Sequence, residues 1–249
     1  MREREKGFTL IEVLFAIFIG VLLMGAAYIA MTSGQQTSAG VERKVAAQQD
    51  VRAAMQIMGL ELSMASYNPH FMPNIWHDLP GGGTVLCQGL GNQDYKGIRE
   101  ATPTAITVQM DIGESNQAGD NQGEIIRYEY RSGQYMIRET VNCGNTRQPS
   151  AAFPFLGDRP NSGRPRNVRV INDDLGIVNG RNVPAVFRYF DGRNPANELF
   201  PTDTDRSPIP DIRRIDITLA VESDEVDPAT KQRKKMTYST SVLVRNHAF

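Results

Sequence analysis

The chain opens on one long apolar run and then changes its hydrophobic period twice. From Phe8 to Met31 it reads FTLIEVLFAIFIGVLLMGAAYIAM, 24 residues in which Glu12 is the only charged side chain. As a helix rising about 1.5 Å per residue, the run spans roughly 36 Å, enough to cross a bilayer core. After Met31 the composition turns polar, yet no proline occurs between Phe8 and Pro69. Val41, Val45, Gln48, Val51, Met55, Met58, Leu62 and Ala65 recur at intervals of three and four, which predicts that the helix continues with one face turned to a core. Met55 and Met58 on that face read as core packing. Gly20, Gly25, Gly34 and Gly40 weaken local helicity and make a bend near the membrane boundary plausible.

From Asn68 onward the helical period is gone. Pro69, Pro73, Pro80 and the Gly81-Gly82-Gly83 run mark a loop-rich entry into a different kind of structure. Residues 104–112 (TAITVQMDI) read as a strand, and EIIRYEYR and QYMIRETV, separated by Ser132-Gly133, as a hairpin. Residues 183–190 form a weaker strand candidate. Near the end Ile215, Ile217, Leu219 and Val221 alternate, as do Met236, Tyr238, Thr240, Val242 and Val244, giving two half-buried antiparallel strands joined by a charged loop. The expected fold is α+β: a helix over about 8–66 packed on an antiparallel β-sheet, with long loop insertions at 145–182 and 191–211.

Composition narrows the function classes. Lys plus Arg number 27 against 28 Asp plus Glu, so no basic field marks nucleic acid as a partner. The four arginines between 159 and 169 lack interleaved aromatics and read as a solvated loop. No HExxH, Walker A, paired CxxC, GxSxG or strand-linked GxGxxG occurs, so the usual sequence handles for metalloprotease, nucleotide, zinc, esterase and Rossmann chemistry are missing. His70, His77 and His247 are scattered and read as surface or loop residues. The acidic groups at 120–124, 173–174, 203–205 and 224–227 could offer oxygen ligands to calcium, but none has EF-hand spacing and solvated turns are the plainer reading. Trp76 reads as a packing anchor. Cys87 and Cys143 are the only cysteines, leaving two free thiols or one disulfide; an oxidising compartment would select the bridge.

The N-terminus carries the sharpest signal. Residues 1–7, MREREKG, bear three basic and two acidic side chains, placing this flank on the cytoplasmic side. A secretory signal cut near Ala26-Ala27, or a plain uncleaved anchor, would fit the length, but neither explains Glu12. A carboxylate in the membrane costs about 2.5–3.5 kcal/mol on insertion scales. Gly7-Phe8-Thr9-Leu10-Ile11-Glu12-Val13-Leu14 resembles the processing and assembly motif of type IV prepilins and type II secretion pseudopilins. The resemblance implies that a prepilin peptidase cuts between Gly7 and Phe8 and methylates the amine of Phe8. It further implies that Glu12 pairs with the N-terminal ammonium of an adjacent subunit. The terminal stretch YSTSVLVRN is similar to the endings of PilW-type minor pilins and J-type pseudopilins.

The expected organisation is a leader (1–7), a membrane and filament-core half (8–31), an amphipathic half (32–67) and a β-rich periplasmic domain (68–249). The expected function is that of a non-enzymatic minor pilin, anchored in the bacterial inner membrane and then built into a pilus. A J-type pseudopilin is the close alternative, and an anchored periplasmic enzyme or binding protein the distant one. Expected partners are the peptidase, other pilins and the membrane, with no cofactor beyond the calcium considered above.

Overall fold

The computed structural model describes residues 7–78, 87, 89–132, 135–143, 153–158, 167–175, 185–227 and 230–248. The absence of proline has the expected result: α1 runs unbroken from Leu10 to Ser63. It stops where Met64 caps it and Ser66 turns into the left-handed region at φ 64°, three residues before Pro69.

Two sheets follow. The first is an antiparallel meander, β1 (Ile98–Ala101), β2 (Ala105–Gln109), β3 (Ile125–Arg131), β4 (Tyr135–Val141) and β5 (Phe153–Leu156), in spatial order 1-2-3-4-5. In the second, β10 (Lys235–Leu243) pairs with β9 (Arg214–Ser223) along its whole length. Along the other side of β9 lie β6 (Val168–Val170) and β7 (Phe187–Phe190), with β8 (Glu198–Leu199) outside β7. The fold is the expected α+β, but with two sheets instead of one. Strands β1, β5, β6 and β8 lie outside the expected segments because each has two to four residues, too few to establish a period of two. Of the expected 132–133 turn, Ser132 is described and Gly133 lies outside the described residues.

One core joins the helix to both sheets. Val51, Met55, Met58 and Leu62 of α1 cluster with Ile106, Val108, Ile126, Tyr128 and Met136 of the first sheet and Phe187, Ile215, Ile217 and Leu219 of the second. The register follows from the pleat: Ile215, Ile217, Leu219 and Val221 face inward and stand opposite Val242, Thr240, Tyr238 and Met236. Glu61 fastens the upper part of α1 to the first sheet, accepting from Arg138 Nη2 at 2.6 Å, Arg138 Nε at 3.1 Å and the Tyr128 hydroxyl.

The buried stripe of α1 is shorter than its sequence period predicts. Val41 and Val45 are 56% and 44% exposed, and burial begins at Ala47. Below that point the helix meets the charged loop between β9 and β10, where Arg43 Nε lies 2.7 Å from Glu225, rather than an apolar sheet face.

Gaps in the sheets are closed by side chains. Between the ends of β6 and β7, buried Asn172 donates to Thr218 O (2.8 Å) and accepts from Ala220 N (3.0 Å), continuing the ladder along β9. Asp111 and Glu124, both fully buried, organise the loop joining β2 to β3. Asp111 accepts from the N–H groups of Ser115 and Asn116, and Glu124 from those of Gly113, Gly119 and Asn121. Glu124 is therefore not the solvated turn residue its neighbourhood suggested. Emptying this fully buried site and leaving the buried Gly119 N–H without its partner should be expensive: Glu124→Ala is expected to cost about 3 kcal/mol, read as a lowered urea midpoint.

This loop also reaches the disulfide. Ala118 packs with Ile75 and Trp76, so Trp76 is indeed a packing anchor. Gly119 has φ 92°, and a Cβ there would lie 2.6 Å from Ile125 Cδ1 and 2.9 Å from Cys143 Sγ, which only glycine avoids. Cys143 is joined to Cys87 with their Cα atoms 5.7 Å apart.

His247 is buried, not a surface residue. Its Nε2 lies 2.9 Å from Ile209 O, which can only accept, so Nε2 carries the proton and Nδ1 accepts from Ser66 Oγ at 2.7 Å. Ser66 Oγ in turn accepts from Gly97 N. The chain pins the C-terminal turn (Arg245–Ala248) onto the segment that leaves α1. Burial pushes the His247 pKa down to about 4, against the pull of the Ile209 carbonyl and with help from Lys96 and Arg213. The folded pKa lies below the unfolded value near 6.5, so this stability is present above about pH 6.5 and is lost as pH falls through about 4. The loss should approach about 3 kcal/mol; urea titrations across this window should show it, and His247→Gln should flatten it.

Candidate functional site

The N-terminal half of α1 touches nothing else in the described chain. From Phe8 to Met31 every large apolar side chain is exposed, for example Phe8 at 87%, Leu22 at 57% and Met24 at 77%. The most apolar window has a mean hydropathy of 2.5 and none of it is buried, making α1 long and apolar enough to cross a membrane. A helix apolar on all sides and unburied needs lipid or other chains around it.

Thr9 and Glu12 start this helix as a reciprocal cap. The Glu12 backbone N–H donates to Thr9 Oγ1 (3.4 Å), while Glu12 Oε2 accepts from Thr9 N (2.9 Å) and from the Thr9 hydroxyl (2.9 Å). Thr9-Leu10-Ile11-Glu12 is the S/T-x-x-E pattern that announces such a box, so the role of Thr9 was readable beforehand. Oε2 is engaged by Thr9, and Oε1 alone has no partner among the described residues. Gly7 and Phe8 precede the box outside any helix or strand and both are exposed, so the Gly7–Phe8 bond lies just outside the first helical turn.

The remaining sequence candidates are drawn into structure. Asp173 accepts from the Tyr130 hydroxyl at 2.7 Å, and Asp205 accepts from Ser207 N and Oγ. Asp224 lies near Arg169 and Arg233, and Asp227 near Lys234. Among the described residues no three His, Cys, Asp or Glu side chains converge on a common point. Of the four arginines, Arg169 pairs with Glu222 at 2.9 Å; Arg159, Arg164 and Arg166 lie outside the described residues.

A long helix that packs its upper half on antiparallel sheets and leaves its lower, apolar half bare is a type IV pilin-like α+β architecture. Residues 2–28 match the family model of the prokaryotic N-terminal methylation motif, which supports a type IV pilin or pseudopilin-like protein and points to a structural subunit, not an enzyme. The motif implies processing by prepilin peptidase and assembly with other pilins, and with the apolar helix it fits a membrane-anchored pilin. Comparisons with curated proteins and with solved structures found no match.

Proposed function

We propose that this chain is a minor type IV pilin: made with residues 1–7 as a cytoplasmic leader, cut between Gly7 and Phe8, N-methylated on Phe8, and built into a pilus by its N-terminal helix. Residues 8–31 form the membrane and filament half, and 68–249 the periplasmic domain. The observation carrying this reading is the bare apolar helix half with one capped carboxylate at its start. Cleavage creates a cation at Phe8, beside an apolar surface where a lone charge is costly. Glu12 Oε1 of an adjacent subunit offers a partner, and pairing relieves both costs while setting the axial register.

A domain this large on one assembly helix suits a subunit present in few copies, at a tip or in a priming complex. A J-type pseudopilin of type II secretion shares all of these features and is the alternative; the machine encoded beside the chain separates the two. The test is intact-mass and N-terminal analysis of the membrane-extracted protein, with and without prepilin peptidase. A chain beginning at methylated Phe8 only when the peptidase is present is the expected result. Retained Met1, or cleavage near Ala27, would sink the reading.

A further inference from the structure

We propose that β10 is an open sheet edge that accepts an extended strand from a different pilin-type subunit; the inference rests on the pilin reading and names a second contact beyond the N-terminal helix. Exposed strand edges are templates for pairing, and proteins that leave them unpartnered shorten, bulge or proline-block them. The other edges of this fold carry those devices. β1 has four residues and a register shift between Ile98 and Glu100. β5 contains Pro154 and pairs across a shift between Met136 and Ile137, and β8 has two residues.

β10 carries none of them. Its nine residues, KMTYSTSVL, stay in unbroken register with β9, contain no proline or acid, and have one basic residue, at the first position. The bonds from Ser223 N to Lys234 O and from Val244 N to Arg213 O fix the phase of the ladder. Alternation then directs the backbone groups of Met236, Tyr238, Thr240 and Val242 to β9 and those of Thr237, Ser239 and Ser241 outward. These three residues are exposed, and no bond to their outward N–H groups occurs among the described residues. Beside the edge, Met55, Gln56, Gly59 and Ser63 of α1 and the 240–243 end of β10 border a groove of about 640 Å³, which inward side chains of an added strand would enter.

Polarity argues against a second copy as occupant. β10 runs in the same direction as α1: Glu225, just before it, meets Arg43, then Met236 meets Gln48 and Val242 packs on Gly59. An antiparallel β10–β10 pair would point the two membrane helices in opposite directions. A parallel β10–β10 pair would align the two helices but place them on opposite faces of the joined sheet, so both could not enter one filament core, and a copy related by filament rotation could offer only the short, interrupted edges. A different subunit, anchored the same way and contributing its own strand, meets both constraints through main-chain hydrogen bonds.

The test places a photo-crosslinking residue at Ser239, and separately at Leu22, in the full-length chain in its native membrane, and identifies the joined peptides by mass spectrometry. The expected result at Ser239 is a strand segment of another pilin-type protein. Ser241→Pro, which removes an outward N–H and no bond to β9, should lower that yield by about tenfold or more, and Thr237→Lys with Ser241→Lys should act alike. Leu22 should keep joining pilin-type helices in every variant. If Leu22 does so while Ser239 gives no product, joins a second copy or a helix, or is indifferent to both edge variants, the inference is overturned and the pilin reading stands. If Leu22 joins no pilin-type helix, both fall.

Discussion

Glu12→Val should leave the protein in the membrane and still cut after Gly7, yet lower its recovery in sheared, purified filaments by about tenfold or more, the factor that about 1.4 kcal/mol produces in an equilibrium. The direction follows from charge bookkeeping in a medium of low dielectric. Valine makes the helix more apolar, so insertion improves, whereas the ammonium of the neighbouring Phe8 loses the anion that would offset its burial. Because Glu12 also caps α1 through Thr9, a control is needed that damages the cap and spares the carboxylate. Thr9→Val does this: it removes the hydroxyl but keeps the N–H bond to Oε2, and should cost about 1 kcal/mol or less of helix-end stability. Quantitative immunoblots of membrane and filament fractions from both variants read the difference. Equal recovery of Glu12→Val and the unmodified chain would refute the pairing, and equal losses in both variants would assign the effect to the cap.

The second large effect is expected at the disulfide. Cys87 and Cys143 are 56 residues apart in sequence, and closing a loop of that length restricts the unfolded chain by about 4 kcal/mol in the chain-entropy treatment. Cys143→Ser should therefore lower the urea midpoint of the detergent-solubilised protein by about 1–2 M. The damage has a defined route through the fold. Cys143 packs with Ile125 and Val141 and its backbone N–H donates to Gly119 O, so the loop held by Asp111 and Glu124 should loosen first. Earlier hydrogen exchange at Ser115, Asn116 and Gly119 than in β9 would show this order. A reductant should reproduce the shift in the parent chain and leave Cys143→Ser unchanged.

The helix was legible because its signals are local and repeated. Fifty-four residues without proline, an apolar run, and a three-and-four period that leads into Val51, Met55, Met58 and Leu62 all point the same way. The N-terminal motif was legible for a related reason: Gly7, Phe8, Thr9 and Glu12 are contiguous in sequence, and the cap that Thr9 and Glu12 form needs no distant part of the chain. Strands long enough to show alternation, β9 and β10 above all, were legible too.

The rest depended on contacts between residues far apart. Val41 and Val45 share the helical period of Val51 yet stay exposed, because burial depends on where the domain ends and the sequence period does not record that. His247 looked like a terminal surface residue until Ser66 and Ile209, 181 and 38 residues away, enclosed it. Glu124 looked like one acid in a polar loop, but its buried carboxylate gathers the N–H groups of Gly113, Gly119 and Asn121. The sequence by itself determined the N-terminal segment: the apolar helix, its cap and the N-terminal methylation motif, all encoded within one turn or one repeating period. Only the tertiary structure decided that the described strands form two sheets, that Cys87 meets Cys143, and that no described strand lies beside the long β10. An edge is defined by the strand that is missing beside it, and no local pattern can report that.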